Sequence, residues 1–503
     1  MAERELDGQS FDLVVLGTGL EEAIIASEAA AAGKSVLHID RNPYYGGAYA
    51  SFTLSGLIEW AVCHRDHRQV PIVEILVSTK AEGEEERQQQ LTDQPTFVIG
   101  KNSQRAAAPN PAESATGSRA SEALRRLAPF ATNSMCVDEP DSAAKALLEL
   151  LQNDRNYQIE LAPKVALCRG RMIDLLIDSG IGEYVQFRGV EHNYLVRDNG
   201  VERVPESKED IFASTTLSLI EKRKLMRVIT TVADQEQSKA VIEQAGDVLF
   251  EKLLRERFKL DGKLLDAVLR CVARVGFNEH VDAAEGCRRI QRYVTSMGRY
   301  GRMAYLCGLY GGGSEIAQSF CRLCAVAGST YVLGEKVSVE PANDGAGFTV
   351  SLGEGTIKAA KVVMDSTYAS TVTHGHVLSR AICILDAPVL GEDTTALATY
   401  VGSSGVVSML YVTQATMAVP KGKSILYAWV EGQLLENKVL LCHAISATRG
   451  NASALLTLFM ETHSLEVAGS VSDDIIHTKG PDATVDLDSA VTAAQSITEL
   501  ILG

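Results

Sequence analysis

The chain has 503 residues, of which 46% are hydrophobic and 22% are charged. This length and composition leave room for about two to four domains with apolar cores, which excludes wholesale disorder and a small disulfide-stapled scaffold. The net charge of −16 argues against a nucleic-acid-binding protein and favours a basic partner. No apolar run reaches the ~18 residues that a membrane span needs, and the acidic N-terminus is unlike a signal peptide.

The ten cysteines are scattered along the chain, with one close pair at Cys321 and Cys324. This spread predicts reduced thiols in a cytosolic protein. The pair lies in SFCRLCAVAG, whose apolar spacing is helical, so we interpret it as a buried helix face rather than a redox motif. The segment CHRDH at residues 63–67 is the densest group of possible metal ligands. No second group at zinc spacing completes it, so the sequence predicts no metal site.

The first forty residues predict a β-strand, a helix and a second β-strand. Residues 11–16 are a continuous apolar run, and an Ala-rich helix extends to about Ala32. Residues 34–40 form the second apolar run and end in an acid. With the turn at residues 17–19, this order is typical of a dinucleotide-binding half-sheet.

The glycine motif of this half-sheet departs from G-x-G-x-x-G. Gly17 and Gly19 are present, but Glu22 stands at the third glycine and Glu21 precedes it. The two carboxylates compete with a diphosphate for the positive end of the helix, although Asp40 keeps the position that holds a ribose hydroxyl. The sequence therefore predicts the fold with a vestigial site that binds no FAD. The alternative interpretation of the two glycines is an ordinary tight turn between strand and helix.

Changes in composition and in the spacing of apolar residues divide the chain into four segments. Residues 1–62 begin the sheet domain, and 63–134 are a polar, partly disordered insertion. Residues 135–300 have mostly helical spacing, and 301–503 return to the sheet domain. There, GFTVSL and TIKAAKVVMD predict a hairpin that leads into a strand, and further strands are predicted at RAICILD, VVSMLYV, SILYAWV and KVLLCHAIS. The predicted fold is α/β: a Rossmann-type, FAD/NAD(P)-binding-like sheet domain with an inserted, mainly helical second domain.

Two long segments resemble sequence blocks that Rab GDP-dissociation inhibitors and Rab escort proteins share. The first is DLVVLGTGLEEAIIASEAAAAGKSVLHIDRNPYYGGAYASF, and the second is SMGRYGRMAYLCGLYGGGSEIAQSFCRLCAVAGSTYVL. The closing segment HTKGPDATVDLDSA is similar to that of the family as well. The resemblance implies a flavoprotein-like sheet domain that has lost its flavin, and a helical domain that shelters geranylgeranyl groups as cargo. It also implies binding of Rab GTPases in the GDP state, without catalytic residues.

The resemblance places a Rab-binding platform on five residues of this chain. Tyr45 matches the second Tyr of the YYGG motif, and Glu315, Arg322 and Thr330 match residues of the later block. Val332 takes the position of an apolar platform residue. An aromatic ring and an arginine are residue types that supply binding hot spots.

The RYG segment of the later block is matched by Arg299 and Tyr300, which the resemblance places beside the path of the Rab tail. Two departures stand out: YGGGSE has one residue more than the usual YGxGE before Glu315, and Ser329 replaces a Gly.

The polar insertion, the segment VPESKEDIF and the cysteines of FCRLCAV favour an escort protein over a dissociation inhibitor. An escort protein presents new Rab to the αβ heterodimer of Rab geranylgeranyl transferase. It then keeps the prenylated product in the cytosol until a transient contact with a membrane. One feature argues against an escort protein. Ala267 or Val268 occupies the position where the resemblance implies an aromatic residue that contacts the transferase. The alternatives are a Rab GDP-dissociation inhibitor and an FAD-dependent oxidoreductase on the same sheet.

Overall fold

The structure, a computed structural model, describes residues 6–64, 73–77, 149–342, 347–353, 355–368, 372–467 and 475–503. Most of the predicted polar insertion, including Asp66 and His67 of CHRDH, lies outside the described residues, and the side chains of Cys63 and His64 are not described either.

The strands are β1 Ser10–Leu16, β2 Val36–Asp40, β3 Ser51–Phe52, β4 Val73–Val77, β5 Ile159–Glu160, β6 Ala166–Leu167, β7 Phe187–Gly189, β8 His192–Arg197, β9 Gly200–Arg203, β10 Tyr305–Gly308, β11 Thr330–Leu333, β12 Val337–Pro341, β13 Phe348–Leu352, β14 Gly355–Asp365, β15 Val372–Leu385, β16 Ala396–Val401, β17 Val406–Thr413, β18 Ser424–Glu431, β19 Ala454–Val467 and β20 Ile475–Thr478.

The α-helices are α1 Leu20–Ala31, α2 Leu54–His64, α3 Arg171–Asp178, α4 Lys208–Ala213, α5 Leu219–Ala233, α6 Gln235–Ala245, α7 Phe250–Glu256, α8 Gly262–Asp266, α9 Ala283–Ser296, α10 Gly312–Val326, α11 Leu434–Arg449 and α12 Asp488–Leu502. Within the described ranges, none of these helices is both long and apolar enough to cross a bilayer.

The first sheet is the predicted Rossmann-type sheet. Its parallel strands lie in the order β11, β2, β1, β14 and β20, and the antiparallel strands β13 and β12 extend it beyond β14. Helices α1, α10 and α12 pack together against it through apolar side chains. The predicted strand–helix–strand unit is thus confirmed, as is the hairpin of β13 and β14. The C-terminal strand β20 and helix α12 also pack in this layer.

The second sheet has the order β4, β19, β15, β18, β17, β16, β8 and β9. RAICILD, VVSMLYV and SILYAWV form β15, β17 and β18, as predicted. The predicted strand at KVLLCHAIS is wrong, because this segment lies in α11. The buried residues of α11 include Leu434, Leu441, Ile445 and Thr448, which follow helical spacing and pack on the sheet. A short apolar run cannot be assigned by period alone, and here the neighbouring sheet surface decided.

The middle of the chain contains helices α4 to α9. Two of these helices begin directly after a serine, a residue type that favours the N-cap position. Ser207 and Ser218 each form a capping box, with Asp210 and Glu221 three residues later. A π-helical turn follows α8 at Ala267–Val272. Strands β5 to β9 also lie in this stretch, and β8 joins the second sheet beside β16. The four-segment division therefore stays a prediction.

Candidate functional site

The turn between β1 and α1 is where a nucleotide-binding fold holds its diphosphate. Gly17 has a φ of 104°, as the tight turn requires. The Glu22 side chain folds back over the turn: a Cβ on Gly19 would overlap its carboxylate, and the Thr478 hydroxyl donates a hydrogen bond to it. Glu21 and Glu22 are each only 3% exposed. Protein side chains therefore fill the space that a diphosphate would need.

Burial changes the charge of these two carboxyl groups. Loss of hydration raises the pKa of Glu21 to about 7, although backbone N–H groups of Lys479 and Gly480 oppose this. Burial, together with Asp365 and Glu21, raises the pKa of Glu22 well above its ordinary value. Burial therefore favours the protonated form of both groups. The competition of these two side chains with a diphosphate stays a prediction.

The Asp40 carboxylate is engaged within the protein. Its Oδ2 accepts hydrogen bonds from the Thr18 N–H at 2.8 Å and the Thr18 hydroxyl at 2.6 Å. Its Oδ1 accepts one from the N–H of Asn42 at 2.8 Å. Asp40 is 1% exposed, so it braces the loop after β2.

Tyr45 lies on that loop, beside the edge strand β11. Its ring centroid is 6.2 Å from that of Tyr331, which lies 4.8 Å from the His38 ring. His38 Nε2 is 2.5 Å from the carbonyl oxygen of Gly17, which can only accept. Nε2 therefore carries the proton, and Nδ1 accepts the Tyr331 hydroxyl at 3.1 Å. Burial lowers the pKa of His38 to about 4, so this supporting ring is neutral.

Helix α10 brings two further predicted residues to the same region. Glu315 is in its first turn and Arg322 is seven residues later, on the same side of the helix. The Arg322 guanidinium lies 5.0 Å from the ring centre of the exposed Tyr184. Burial raises the pKa of the half-buried Glu315. On the opposite side of α10, Cys321 and Cys324 are buried, which confirms the predicted helix face.

The loop that bears Tyr45 packs on the first turn of α10, where a Cβ on Gly46 would lie 3.3 Å from Ser314 Oγ. Thr330 is half-buried and is the first residue of β11, directly before Tyr331, whose ring lies near that of Tyr45. This surface is called the α10 face below; its residues are Tyr45, Glu315, Arg322 and Thr330.

Val332 differs from the other predicted platform residues. It is 8% exposed and packs with Leu16 and Ile39 in the core on the other side of the first sheet. Tyr331, between Thr330 and Val332, points to the α10 side instead. The analysis of the sequence missed Tyr331, whose only signal was the alternation of side chains along a strand.

The extra residue before Glu315 is absorbed where α10 begins. Tyr310 has a φ of 57°, and Gly311 and Gly312 have φ values of 94° and 24°. A left-handed backbone is accessible to glycine and uncommon for other residues. The GGG run therefore turns the chain sharply and leaves Glu315 in the first turn of α10.

Arg299 and Tyr300 lie on the loop between α9 and β10. Arg299 is partly exposed, and its Nη1 donates to Asp174 and to the Cys168 carbonyl, both at 2.9 Å. Tyr300 is 50% exposed and borders a groove of about 350 Å³. The apolar side chains of this groove are those of Ile173, Leu176, Ile177, Phe187, Met303 and Leu306.

A second cavity, of about 50 Å³, lies among the helices of the middle region. Leu217, Val228, Val268, Ile290 and Val294 are among its apolar lining residues. Charged side chains of Glu202, Arg203 and Lys263 line it as well. Ala267 and Val268, expected near an exposed aromatic anchor, are instead buried against this cavity.

In the described ranges, no three His, Cys, Asp or Glu residues are grouped as a metal site. The prediction for CHRDH is not tested, because it falls outside the described side chains.

Residues 6–70 and 142–407 match the family model "GDP dissociation inhibitor". The chain is 29% identical over 396 residues to "Rab proteins geranylgeranyltransferase component A" from Drosophila melanogaster, covering 76% of this chain and 65% of that protein. It is 31% identical to "Rab proteins geranylgeranyltransferase component A 1" from Caenorhabditis elegans, covering 72% and 66%. The matched region thus spans slightly less than two thirds of both relatives.

Among solved structures, the fold is similar to that of the Rab GDI from Plasmodium falciparum. The TM-score is 0.67 and the sequence identity is 18%, with 98% of each chain covered. At this identity the likeness concerns the fold alone, and it agrees with the predicted fold class.

Proposed function

The chain belongs to the GDP dissociation inhibitor family, and from this we propose that it is a Rab escort protein. It binds Rab GTPases in the GDP state and presents them to Rab geranylgeranyl transferase, the enzyme in the names of its relatives. The observation that carries the proposal is the α10 face, where the aromatic ring of Tyr45 lies beside the helix that carries the arginine and the carboxyl group. The switch regions of a Rab GTPase have different shapes with GDP and with GTP. If only the GDP-state shape fits the α10 face, the chain binds the GDP state selectively and thereby stabilises it.

The isoprenoid cargo enters the cavity among the middle helices, and the Rab tail lies in the groove beside Tyr300. The cavity volume of about 50 Å³ is below that of an isoprenoid chain. Binding therefore requires the helices around it to move apart, and the burial of each methylene then contributes about 0.8 kcal/mol. The loaded protein stays in the cytosol and contacts membranes only to deliver its cargo.

The chain contributes no catalytic group and works as the accessory component of the transferase. Its contact with the αβ heterodimer uses an exposed apolar patch formed by Phe212, Leu219 and Ile220, which are 67%, 76% and 67% exposed. Lys222 Nζ of α5 donates to the Phe212 carbonyl of α4 at 2.8 Å, which places the two helix ends near each other. Contiguous exposed apolar side chains mark interaction sites.

The flavin site of the fold does not fit FAD here, and we propose that the chain binds none. Glu22 fills the diphosphate position, and Asp40 is occupied by Thr18. Purified protein is then colourless, whereas a stoichiometric flavin absorbance band would favour the FAD-dependent oxidoreductase.

The decisive experiment is a reconstituted prenylation assay with the purified chain, GDP-loaded Rab, the transferase αβ heterodimer and geranylgeranyl diphosphate. We expect lipid incorporation that depends on this chain. A Rab GDP-dissociation inhibitor would instead extract prenylated Rab from membranes without supporting prenylation. Absence of any binding to GDP-loaded Rab would refute both functions.

A further inference from the structure

The first turn of α10 is held by a carboxyl group from a different part of the chain. Glu160 of β5 is 5% exposed, and its Oε2 accepts a hydrogen bond from the N–H of Gly313 at 3.1 Å. The contact is close, because a Cβ on Gly312 would lie 3.1 Å and 3.3 Å from the two carboxyl oxygens. The N-cap of α10 is Gly311, which has no side chain to cap the helix. Glu160 thus supplies the acceptor that a Ser or Asp N-cap normally provides.

Contacts with strands β18 and β3 fix the backbone of Glu160. Its N–H donates to the Tyr427 hydroxyl on β18 at 3.2 Å, and β5 pairs with β3. The carboxyl group therefore connects the second sheet to the helix that bears the α10 face. A shift of Glu160 would be transmitted to Glu315, two residues beyond Gly313.

The titratable groups that face Glu160 are Tyr49, Cys307 and Tyr427. Burial raises the pKa of each of them, so all three are neutral near pH 7. Burial raises the pKa of Glu160 to about 7, against the opposing effect of the Gly313 N–H. Among the described residues, none of the groups that face Glu160 is charged near pH 7, so no neighbouring charge masks the change in its own charge near neutral pH.

We propose that Glu160 is a positioning residue for the α10 face, fixing the first turn of α10 so that Glu315 is presented to a GDP-state small GTPase. This inference rests on the proposed function. Because a helix N-terminus carries partial positive charge, the ionised carboxylate holds the turn more firmly than the neutral acid does. Affinity for the GTPase therefore rises with pH as Glu160 ionises.

The test compares Glu160→Leu and Glu160→Gln with the wild-type chain, by calorimetric titration with GDP-loaded, unprenylated Rab. The Leu variant lacks an acceptor, and we expect a loss of affinity of about tenfold, since about 1.4 kcal/mol corresponds to a factor of ten. The Gln variant keeps an acceptor without a charge. It should recover most of the affinity and lose the pH dependence that the wild type shows on either side of its pKa of about 7.

A matched control is Glu461→Gln. Glu461 is 6% exposed and accepts the N–H of Leu434 at 2.6 Å, at the start of α11, which lies on the second sheet. This variant should bind with the affinity and pH profile of the wild type.

The outcomes separate the two claims. If the wild-type chain binds no Rab at any pH, the proposed function and this inference fail together. If it binds, the inference alone fails when folded Glu160→Leu keeps full affinity, or when Glu160→Gln keeps the wild-type pH profile. Should Glu160→Leu fail to fold, the pH profile of Glu160→Gln decides by itself.

Discussion

The ring of Tyr45 lies 6.2 Å from the ring of Tyr331, tilted by 58°. Tyr331 in turn donates its hydroxyl hydrogen to a neutral, buried His38, which is fixed by the carbonyl of Gly17. The turn that binds a diphosphate in nucleotide-binding folds thus supports, through His38 and Tyr331, the aromatic ring that we propose to contact Rab. A side chain placed in this way loses little conformational entropy on binding a partner.

Removing that contact should weaken Rab binding. We expect Tyr45→Ala and Arg322→Ala each to reduce the affinity for GDP-loaded Rab by about thirtyfold, as hot-spot residues of an interface cost about 2 kcal/mol on truncation. Calorimetric titration measures this, and circular dichroism confirms the fold. Arg255→Ala on α7, where Arg255 pairs with Glu251, is the control and should bind normally. Undiminished affinity of both face variants would refute the α10 face as the binding site.

The groove beside Tyr300 predicts an effect that depends on the Rab tail. Tyr300→Ala removes a half-exposed ring from its border, so the affinity for full-length Rab should fall by about tenfold, within the range of interface truncations. A Rab lacking its C-terminal tail should bind the variant and the wild type equally. An equal loss for both forms of Rab would show that Tyr300 acts elsewhere.

Filling the cavity should separate lipid binding from Rab binding. Val268 lines the cavity and is 5% exposed, and Val268→Phe places an aromatic ring in the space that the isoprenoid needs. We expect affinity for prenylated Rab to fall tenfold or more, with unprenylated Rab unaffected and stability reduced by about 1–3 kcal/mol. Val268→Ala, which enlarges the cavity, is the control. Unchanged retention of prenylated Rab in the Phe variant would place the lipid outside this cavity.

The exposed patch on the middle helices predicts loss of the transferase alone. Ile220→Glu introduces a charge beside Phe212 and Leu219, and desolvating an unpaired charge at an interface costs several kcal/mol. Co-purification with the αβ heterodimer should fail, while the complex with GDP-loaded Rab forms as before. Glu243→Gln on the neighbouring α6 should not alter either interaction. Normal recovery of the heterodimer by Ile220→Glu would exclude this patch.

The buried Glu21 predicts a pH dependence of stability. Its pKa is about 7 in the folded chain against an ordinary value of 4.5. The folded state therefore holds a proton that the unfolded state releases, and the free energy of unfolding falls as pH rises from 4.5 to about 7. The loss is on the order of 3 kcal/mol for this group. Urea unfolding across this range should show Glu21→Gln gaining stability relative to the wild type as pH rises. A constant difference between the two proteins would contradict the assignment.

The sequence was most informative where a residue's role depends on its neighbours along the chain. The βαβ unit of β1, α1 and β2 follows from apolar runs and a glycine turn, and the buried face of α10 follows from helical spacing. The prediction at KVLLCHAIS was wrong because a short segment rich in apolar residues is compatible with both a strand and a helix, and only its packing on the second sheet selects α11.

Composition, periodicity and short motifs thus established by themselves the α/β class, the Rossmann-type sheet, its altered glycine turn and the resemblance to one family. Tertiary structure alone decided which side chains meet: Tyr331 supports Tyr45, Glu160 holds the start of α10, and Val332 lies in the core. These relationships join segments up to hundreds of residues apart. Their distances, and the burial that raises the pKa of Glu22, exist only after the two sheets and their helices have packed.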